Sequence, residues 1–353
     1  MGKKAKIGIT SDFLEDGKFR IPGPGLKLLD KIPDIAYEVL PDLLPNRTPK
    51  PMLGALEIIP EQIRGFDIIV TSSRRWTQET LTGNNQLLCV HLSGVGYNGV
   101  DVTALTNAGV MLCITPEAMR LPVATAAITL MLALTTHLII RDKLTRQGCW
   151  TEAVRYQGDL LTGKTLGSIG IGNIGHEIFR LVEPFGMTHI AYDPHVKQES
   201  VADVAVKLVD MDTVLSESDF LNISCPLNQE TWHLIGEKEL KKMKPAAFLI
   251  NTARGPIIDE SALIRALQEK WIQGAGLDVF EEEPISPDNP LLKLDNVIVT
   301  PHRLARMAQG DINIWDEIIR HLSQISGGKV PDGLVNKEVL EIAELKSKFE
   351  AFR

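Results

Sequence analysis

Leu166-Gly167-Ser168-Ile169-Gly170-Ile171-Gly172-Asn173-Ile174-Gly175-His176-Glu177-Ile178-Phe179 decides how this chain folds. It opens as an apolar strand, passes through a G-x-G-x-x-G turn and continues as an amphipathic helix. Gly170 permits the tight turn, Gly172 lets backbone approach a pyrophosphate, and Gly175 lets helix and strand pack closely. The helix starting at Asn173 and Ile174 would turn unpaired N–H groups and a positive partial charge toward a diphosphate. The glycine motif alone is weak. An acid closing the next strand, about 20 residues on, strengthens it, and Thr188-His189-Ile190-Ala191-Tyr192-Asp193-Pro194 supplies one. A carboxylate there accepts hydrogen bonds from a ribose diol and repels a 2′-phosphate. The expected cofactor is therefore NAD rather than NADP.

A second glycine motif, Gly158 to Gly163 followed by Lys164-Thr165, fits the pattern of a phosphate-binding loop. Such a loop must follow a strand and open a helix. Here a poor strand precedes it and a strand follows it, so the order is reversed and the motif is rejected.

Working outward, short apolar runs alternate with amphipathic ones. Strands are expected near 5–10, 36–40, 87–91 and 110–113, with 63–72 a helix end running into a further buried strand, then near 165–171, 188–192, 206–209, 219–224, 247–251, 274–278 and 296–299. A short helix is expected from Gly25, a surface loop at 41–54, and one long helix over 121–146 with Pro122 in its first turn. This alternation predicts an α/β chain with parallel sheets. The length of 353 residues predicts two domains. The tail from Lys337 reads as an amphipathic helix that packs on the body or on a second subunit.

Composition narrows the function classes. The net charge of −8, with no basic patch of useful size, argues against nucleic acid as a partner. The apolar run Ile128–Ile140 is too short and too polar for a membrane span, and no apolar run follows Met1 as a leader would require. Cys89, Cys113, Cys149 and Cys225 form no C-x-x-C pair and read as free thiols in a reducing cytoplasm. No ligand spacing suggests a metal site.

Three polar groups fall at expected strand ends, where ligands bind in a doubly wound sheet. They lie in Asn251-Thr252-Ala253-Arg254-Gly255, in Asp278-Val279-Phe280-Glu281-Glu282-Glu283-Pro284, and in Thr300-Pro301-His302. With Ser93-Gly94-Val95-Gly96-Tyr97-Asn98 and Cys225-Pro226-Leu227-Asn228-Gln229-Glu230-Thr231, these make the chain resemble the D-isomer-specific 2-hydroxyacid dehydrogenases over roughly residues 60–337. The family includes phosphoglycerate dehydrogenases and glyoxylate/hydroxypyruvate reductases.

The resemblance implies two Rossmann-like domains around a cleft, one flavodoxin-like and one NAD-binding. Residues 1–119 plus 304–337 would bind substrate, 120–303 would bind NAD, and 338–353 would form the tail. It further implies hydride transfer at C2 of a small 2-oxo or 2-hydroxy carboxylic acid, in a homodimer. His302 would be the general acid/base, Glu283 its orienting partner, and Arg254 the grip on the substrate carboxylate. The N–H groups of Ser93, Gly94, Val95 and Gly96 would complete a carboxylate nest. Gly170, Gly172, Asn173, Ile174, Gly175, Asp193, Cys225, Pro226, Thr231, Thr252, Ala253 and Asp278 would contact the cofactor.

The chain departs from the family pattern in places. Arg303-Leu304-Ala305-Arg306 replaces a glycine-bearing stretch, and Ser73, beside Arg74 and Arg75, stands where phosphoglycerate-specific relatives carry arginine. His91, His137, His176, His189, His195, His233 and His321 read as structural or surface residues. The other function class considered is an NAD-sensing corepressor on the same fold.

Overall fold

The computed structural model describes residues 4–15, 18–19, 29–40, 57–72 and 74–350. The helix expected from Gly25 falls mostly, and the loop at 41–54 and Ser73 fall wholly, outside the described residues. The chain divides into two compact units, Met1–Met119 with Met307–Arg353 and Arg120–Arg306.

In the first unit, β1 (Ala5–Ile9), β4 (Ile35–Val39), β5 (Ile68–Thr71), β6 (Cys89–Leu92) and β7 (Met111–Cys113) form one parallel sheet, in the order β4-β1-β5-β6-β7. A small antiparallel hairpin, β2 (Leu14–Glu15) with β3 (Lys18–Phe19), follows β1. β5 and β6 are buried at every position. Such continuous apolar runs belong to sheets covered on both faces. One face carries the helix Ala308–Ser326 through Trp315, Ile318, Leu322 and Ile325, together with Leu345 of the helix Ala343–Glu350. The other carries Trp76, Leu105 and their neighbours.

Two polar anchors hold the returning chain. Asn336 accepts from the Leu112 N–H at 2.8 Å and donates to Val110 O at 3.0 Å and Thr106 Oγ1 at 2.9 Å. Lys348 donates to the carbonyls of Leu87, Ala108 and Gly109. The tail thus packs on the first unit. It is a 3-10 turn, Lys337–Glu341, followed by Ala343–Glu350, not one continuous helix.

In the second unit, β8 (Thr165–Ile169), β9 (Thr188–Tyr192), β10 (Lys207–Leu208), β11 (Phe220–Ile223), β12 (Phe248–Asn251), β13 (Gly274–Leu277) and β14 (Val297–Val299) form a parallel sheet in the order β10-β9-β8-β11-β12-β13-β14. This is the doubly wound order, with its reversal between β8 and β11. In the rejected glycine motif, Lys164 pairs with Asp159 at 2.6 Å and Thr165 starts β8, so the loop opens no helix.

The long helix expected over 121–146 is two helices, Pro116–Thr135 and Leu138–Arg146. His137 between them takes a left-handed conformation, φ 52°. The break has a tertiary cause: the Thr135 carbonyl accepts the Asp159 N–H at 3.1 Å instead of continuing the helical ladder. Pro122 lies inside the first helix, while Pro116 begins it. The N–H groups of Glu117 and Ala118 donate to the Glu317 carboxylate. By length and composition this helix could cross a membrane, yet most of its apolar window is buried inside the protein.

His91 and His321 form a fully buried pair in the first unit, Nε2 to Nδ1 at 2.9 Å. Among the described residues His321 Nε2 has no hydrogen-bond partner, with Glu317 3.9 Å away. Burial first, then the neighbouring His321, holds His91 down at about 3; burial, then Arg320, holds His321 at about 4. Both are therefore neutral in the folded state, whereas an unfolded histidine takes a proton near ~6.5. Between those limits the unfolded chain binds more protons, so stability falls as pH falls. Lowering pH from 7 to 4.5 is expected to cost the fold roughly 5 kcal/mol through the two rings of this pair. His321→Gln should flatten that part of the dependence in denaturation measured against pH. An unchanged slope in the variant would dismiss the pair as its source.

Candidate active site

The reversal between β8 and β11 brings two backbones together with no room for a side chain. Gly170 follows β8 with φ +87°, and a Cβ on it would lie 2.6 Å from the Cys225 nitrogen. From below, Ser168 Oγ donates to the Gly170 carbonyl at 2.7 Å and accepts from Asn222 Nδ2 at 3.3 Å. The helix Asn173–Val182 starts immediately, with Gly172 as its N-cap and no side chain capping it. A Cβ at Gly172 would meet nothing within 4 Å, whereas one at Gly175 would lie 2.8 Å from the Gly170 carbonyl. Open space before an uncapped helix N-terminus fits a dinucleotide diphosphate.

Asp193, at the end of β9, accepts the Ile171 N–H at 3.0 Å and the His195 N–H at 2.9 Å. Its carboxylate is thereby fixed beside the glycine turn, while the His195 side chain is exposed. Thr231 closes the 226–231 turn, donating to Pro226 O at 2.6 Å and accepting from Asn228 N at 2.8 Å. Burial pushes the Cys225 thiol up to about 11, so it remains a neutral wall.

Beyond β12, β13 and β14 the three polar groups meet. His302 Nδ1 bonds Glu283 Oε2 at 2.7 Å, leaving Nε2 as the nitrogen available to a ligand. Glu283 Oε1 accepts the Phe280 N–H at 3.0 Å. Burial opposes the charge on Glu283, but the hydrogen bond and charge of His302, the Phe280 N–H and the charge of Arg254 together hold its carboxyl below the usual range. For Arg254, burial lowers the pKa and Glu283 opposes the change.

The backbone delivering Arg254 is tightly fitted. The buried Asn251 side chain accepts the Ala253 N–H at 3.0 Å and donates to Arg254 O at 2.9 Å. A Cβ at Gly255 would fall 1.9 Å from the Phe280 carbonyl, so only glycine lets the Arg254 and Glu283 loops touch. His302 itself is left-handed, φ 53°, a conformation that costs free energy and clusters at functional sites.

Several residues expected to contact ligand have their polar groups engaged within the protein. Asp278 is buried and accepts from Thr300 Oγ1 at 2.6 Å, Arg303 N at 3.1 Å and Leu304 N at 3.2 Å. Its carboxylate thus holds the turn that carries His302. In the first unit the Ser93 N–H donates to Thr71 O at 2.8 Å, which extends the β5–β6 ladder and removes that group from the expected nest. The N–H groups of Gly94, Val95 and Gly96 make no backbone hydrogen bond among the described residues.

Some positioning residues carried no signal in the sequence. Asn251 lay inside a quoted motif without a role. His233, left-handed at φ 50°, donates its N–H to Pro256 O at 2.9 Å, pairs through Nε2 with Glu281, and stacks under Trp232. It ties three loops of the second unit together. Among the described residues no group of three or more His, Cys, Asp or Glu could hold a metal ion.

Residues 128–303 match the family profile described as D-isomer specific 2-hydroxyacid dehydrogenase, NAD binding domain. The glyoxylate reductase of Thermococcus litoralis is 37% identical over 328 residues, 91% of this chain and 96% of that one. The chain belongs to the D-isomer-specific 2-hydroxyacid dehydrogenase family.

A D-3-phosphoglycerate dehydrogenase from Archaeoglobus fulgidus is 36% identical over 82% of this chain and 55% of its own length. Among solved structures, a glyoxylate reductase from Paecilomyes thermophila superposes with a TM-score of 0.79 at 27% identity, covering 94% of this chain and 98% of that one. This member of the family is an NAD-dependent D-2-hydroxyacid dehydrogenase, and its second unit is a Rossmann domain that binds NAD. The corepressor reading is not favoured.

Proposed function

We propose that the protein reduces a small 2-oxo acid of the glyoxylate type to the corresponding 2-hydroxy acid, of (R) configuration where C2 is chiral. The observation that carries this reading is the His302–Glu283 bond at 2.7 Å beside Arg254. The nicotinamide cofactor supplies the hydride. With Nδ1 held by Glu283, His302 presents Nε2 and donates the proton to the C2 oxygen; in oxidation it accepts that proton. Glu283 fixes the orientation of the ring. Arg254 grips the substrate carboxylate and polarises the carbonyl with its guanidinium fork.

The N–H groups of Gly94, Val95 and Gly96 are assigned to the substrate carboxylate, without Ser93. The turn at Gly170, Gly172, Asn173, Ile174 and Gly175 would bind the diphosphate, and Asp193 the ribose diol. Pro226, Thr231, Thr252 and Ala253 would flank the rest of the cofactor. A homodimer completes the reading. Trp150, Val154 and Leu160 are 74%, 81% and 73% exposed, near Leu138 and Ile139 on the adjoining helix. Arg141 fastens this segment to that helix by donating from Nε to Tyr156 O. Exposed apolar surface of this kind marks an interface.

NADH oxidation with glyoxylate, hydroxypyruvate and 2-oxoglutarate tests the activity. His302→Asn, which tolerates the left-handed backbone, is expected to lower kcat by about 10²–10⁴-fold while NADH affinity barely moves. Loss of NADH binding instead would contradict the assigned role. Asp193→Asn keeps an acceptor for the Ile171 N–H but removes the charge, so kcat/KM with NADPH relative to NADH should rise about tenfold or more; an unchanged ratio would mean the ribose contact is misassigned. Sedimentation should give twice the 38.9 kDa chain mass for the native protein and a monomer for a Trp150→Glu, Val154→Glu variant. A native monomer would end the dimer proposal.

A further inference from the structure

The sheet of the first unit also has a reversal point, between β1 and β5. In open α/β sheets, ligands bind in the crevice outside the strand ends at such a point. Here a buried ion pair stands in that place. Asp12 follows β1 and Arg74 follows β5, with side chains only 13% and 7% exposed. Arg74 donates from Nε to Asp12 Oδ2 at 2.9 Å, and its Nη2 bonds Oδ1, so one whole edge of the guanidinium is engaged. Thr10 and Thr71 donate their hydroxyls to the same carboxylate, at 2.9 and 3.3 Å. Thr71 also gives its carbonyl to the Ser93 N–H at 2.8 Å. The pair is therefore one residue removed from the strand end that leads into Gly94, Val95 and Gly96.

We infer that the Asp12–Arg74 pair is a specificity determinant that admits 2-oxo acids with one negative charge and rejects those carrying a second anionic group. The inference rests on the proposed reaction and on the substrate carboxylate lying at Gly94–Gly96. An arginine at a substrate rim ordinarily invites a phosphate or second carboxylate. This one is already matched by a carboxylate of the protein, so the pair presents no net charge. A second anion on the Nε–Nη2 edge of Arg74 would have to displace Asp12 and leave that carboxylate without its counter-charge, and an anion elsewhere on the guanidinium would meet a cation already neutralised. Such rejection by an uncompensated group is how a site discriminates against a wrong ligand. The neighbouring space, lined by Thr10, Leu40, Ile58, Gln62 and Arg74, holds no other cation to receive an anion among the described residues. By this reading Arg74 does not serve a phosphate, although it adjoins Ser73.

The test compares kcat/KM for glyoxylate and hydroxypyruvate with that for 2-oxoglutarate and 3-phosphohydroxypyruvate, in the native protein and in Asp12→Asn. The native protein should favour the singly charged acids by about 100-fold. Asp12→Asn leaves the Arg74 charge unmatched and should narrow that gap by about tenfold or more, chiefly through KM for the doubly charged acids. Arg74→Met should not narrow it. A native protein that turns over both classes equally well, or a gap that persists in Asp12→Asn while only thermal stability drops, overturns the inference and leaves the pair a purely structural one. If Asp12→Asn does not fold, the native preference and Arg74→Met still decide. A native protein inactive on every 2-oxo acid would refute the proposed reaction instead. Calorimetric binding of 2-oxoglutarate to the NADH-loaded native and Asp12→Asn proteins would then test the charge match without turnover.

Discussion

No side chain fits between the ends of β8 and β11, and the second unit is organised around that fact. The backbone of Cys225 lies where a Cβ on Gly170 would be, so the two strands diverge from a shared point. Their divergence leaves open space before the N-terminus of Asn173–Val182, whose first N–H groups no side chain caps. A larger residue at 170 would push the two strand ends apart and turn those N–H groups away from a common target. Asp193 fastens the same turn from the β9 side through the Ile171 N–H, so the carboxylate proposed to meet a ribose also shapes the glycine loop.

The groups proposed to react follow the same logic two and three strands further along. Gly255 lets the loop after β12 touch the carbonyl of Phe280, and Phe280 in turn donates its N–H to Glu283. Glu283 then has one oxygen for the backbone and one for His302. Its orientation is set by main chain, not by the mobility of its own side chain. Asp278 does the corresponding work for His302, collecting Thr300 and the N–H groups of Arg303 and Leu304. This explains how a left-handed histidine is tolerated: the surrounding hydrogen bonds over-determine its backbone. Rigid placement matters, because an acid contributes to the rate only when its proton lies within reach of the reacting oxygen.

Buried charge and polarity are satisfied in two ways. Backbone N–H groups hold Asp278 and Glu283 in the second unit and Glu317 in the first. In the first, Asp12 with Arg74 and His91 with His321 are side-chain pairs within the fold. The first pair is matched in charge. The second consists of neutral rings and makes the fold sensitive to acid, since protonating either ring would bury a charge.

The parallel sheets, the dinucleotide turn, the expectation of NAD and the standing of Arg254, Glu283 and His302 just beyond strand ends were legible in the order of residues. Each depends on local chemistry: alternation of apolar runs, glycine where backbone must bend or touch, and a carboxylate, guanidinium or imidazole at a strand end. The break at His137 was not legible, because it follows from Thr135 giving its carbonyl to Asp159, 24 residues away. Nor was the loss of the Ser93 N–H to Thr71, the inward turn of the Asp278 carboxylate, or the partnership of Asp12 with Arg74 across 62 residues. Sequence alone determined which kinds of groups this protein has and roughly where along the chain they stand. Which of them are spent on one another and which remain for a ligand was decided only by tertiary structure, because a hydrogen-bonding group has few valences and the nearest partner in space is seldom the nearest in the chain.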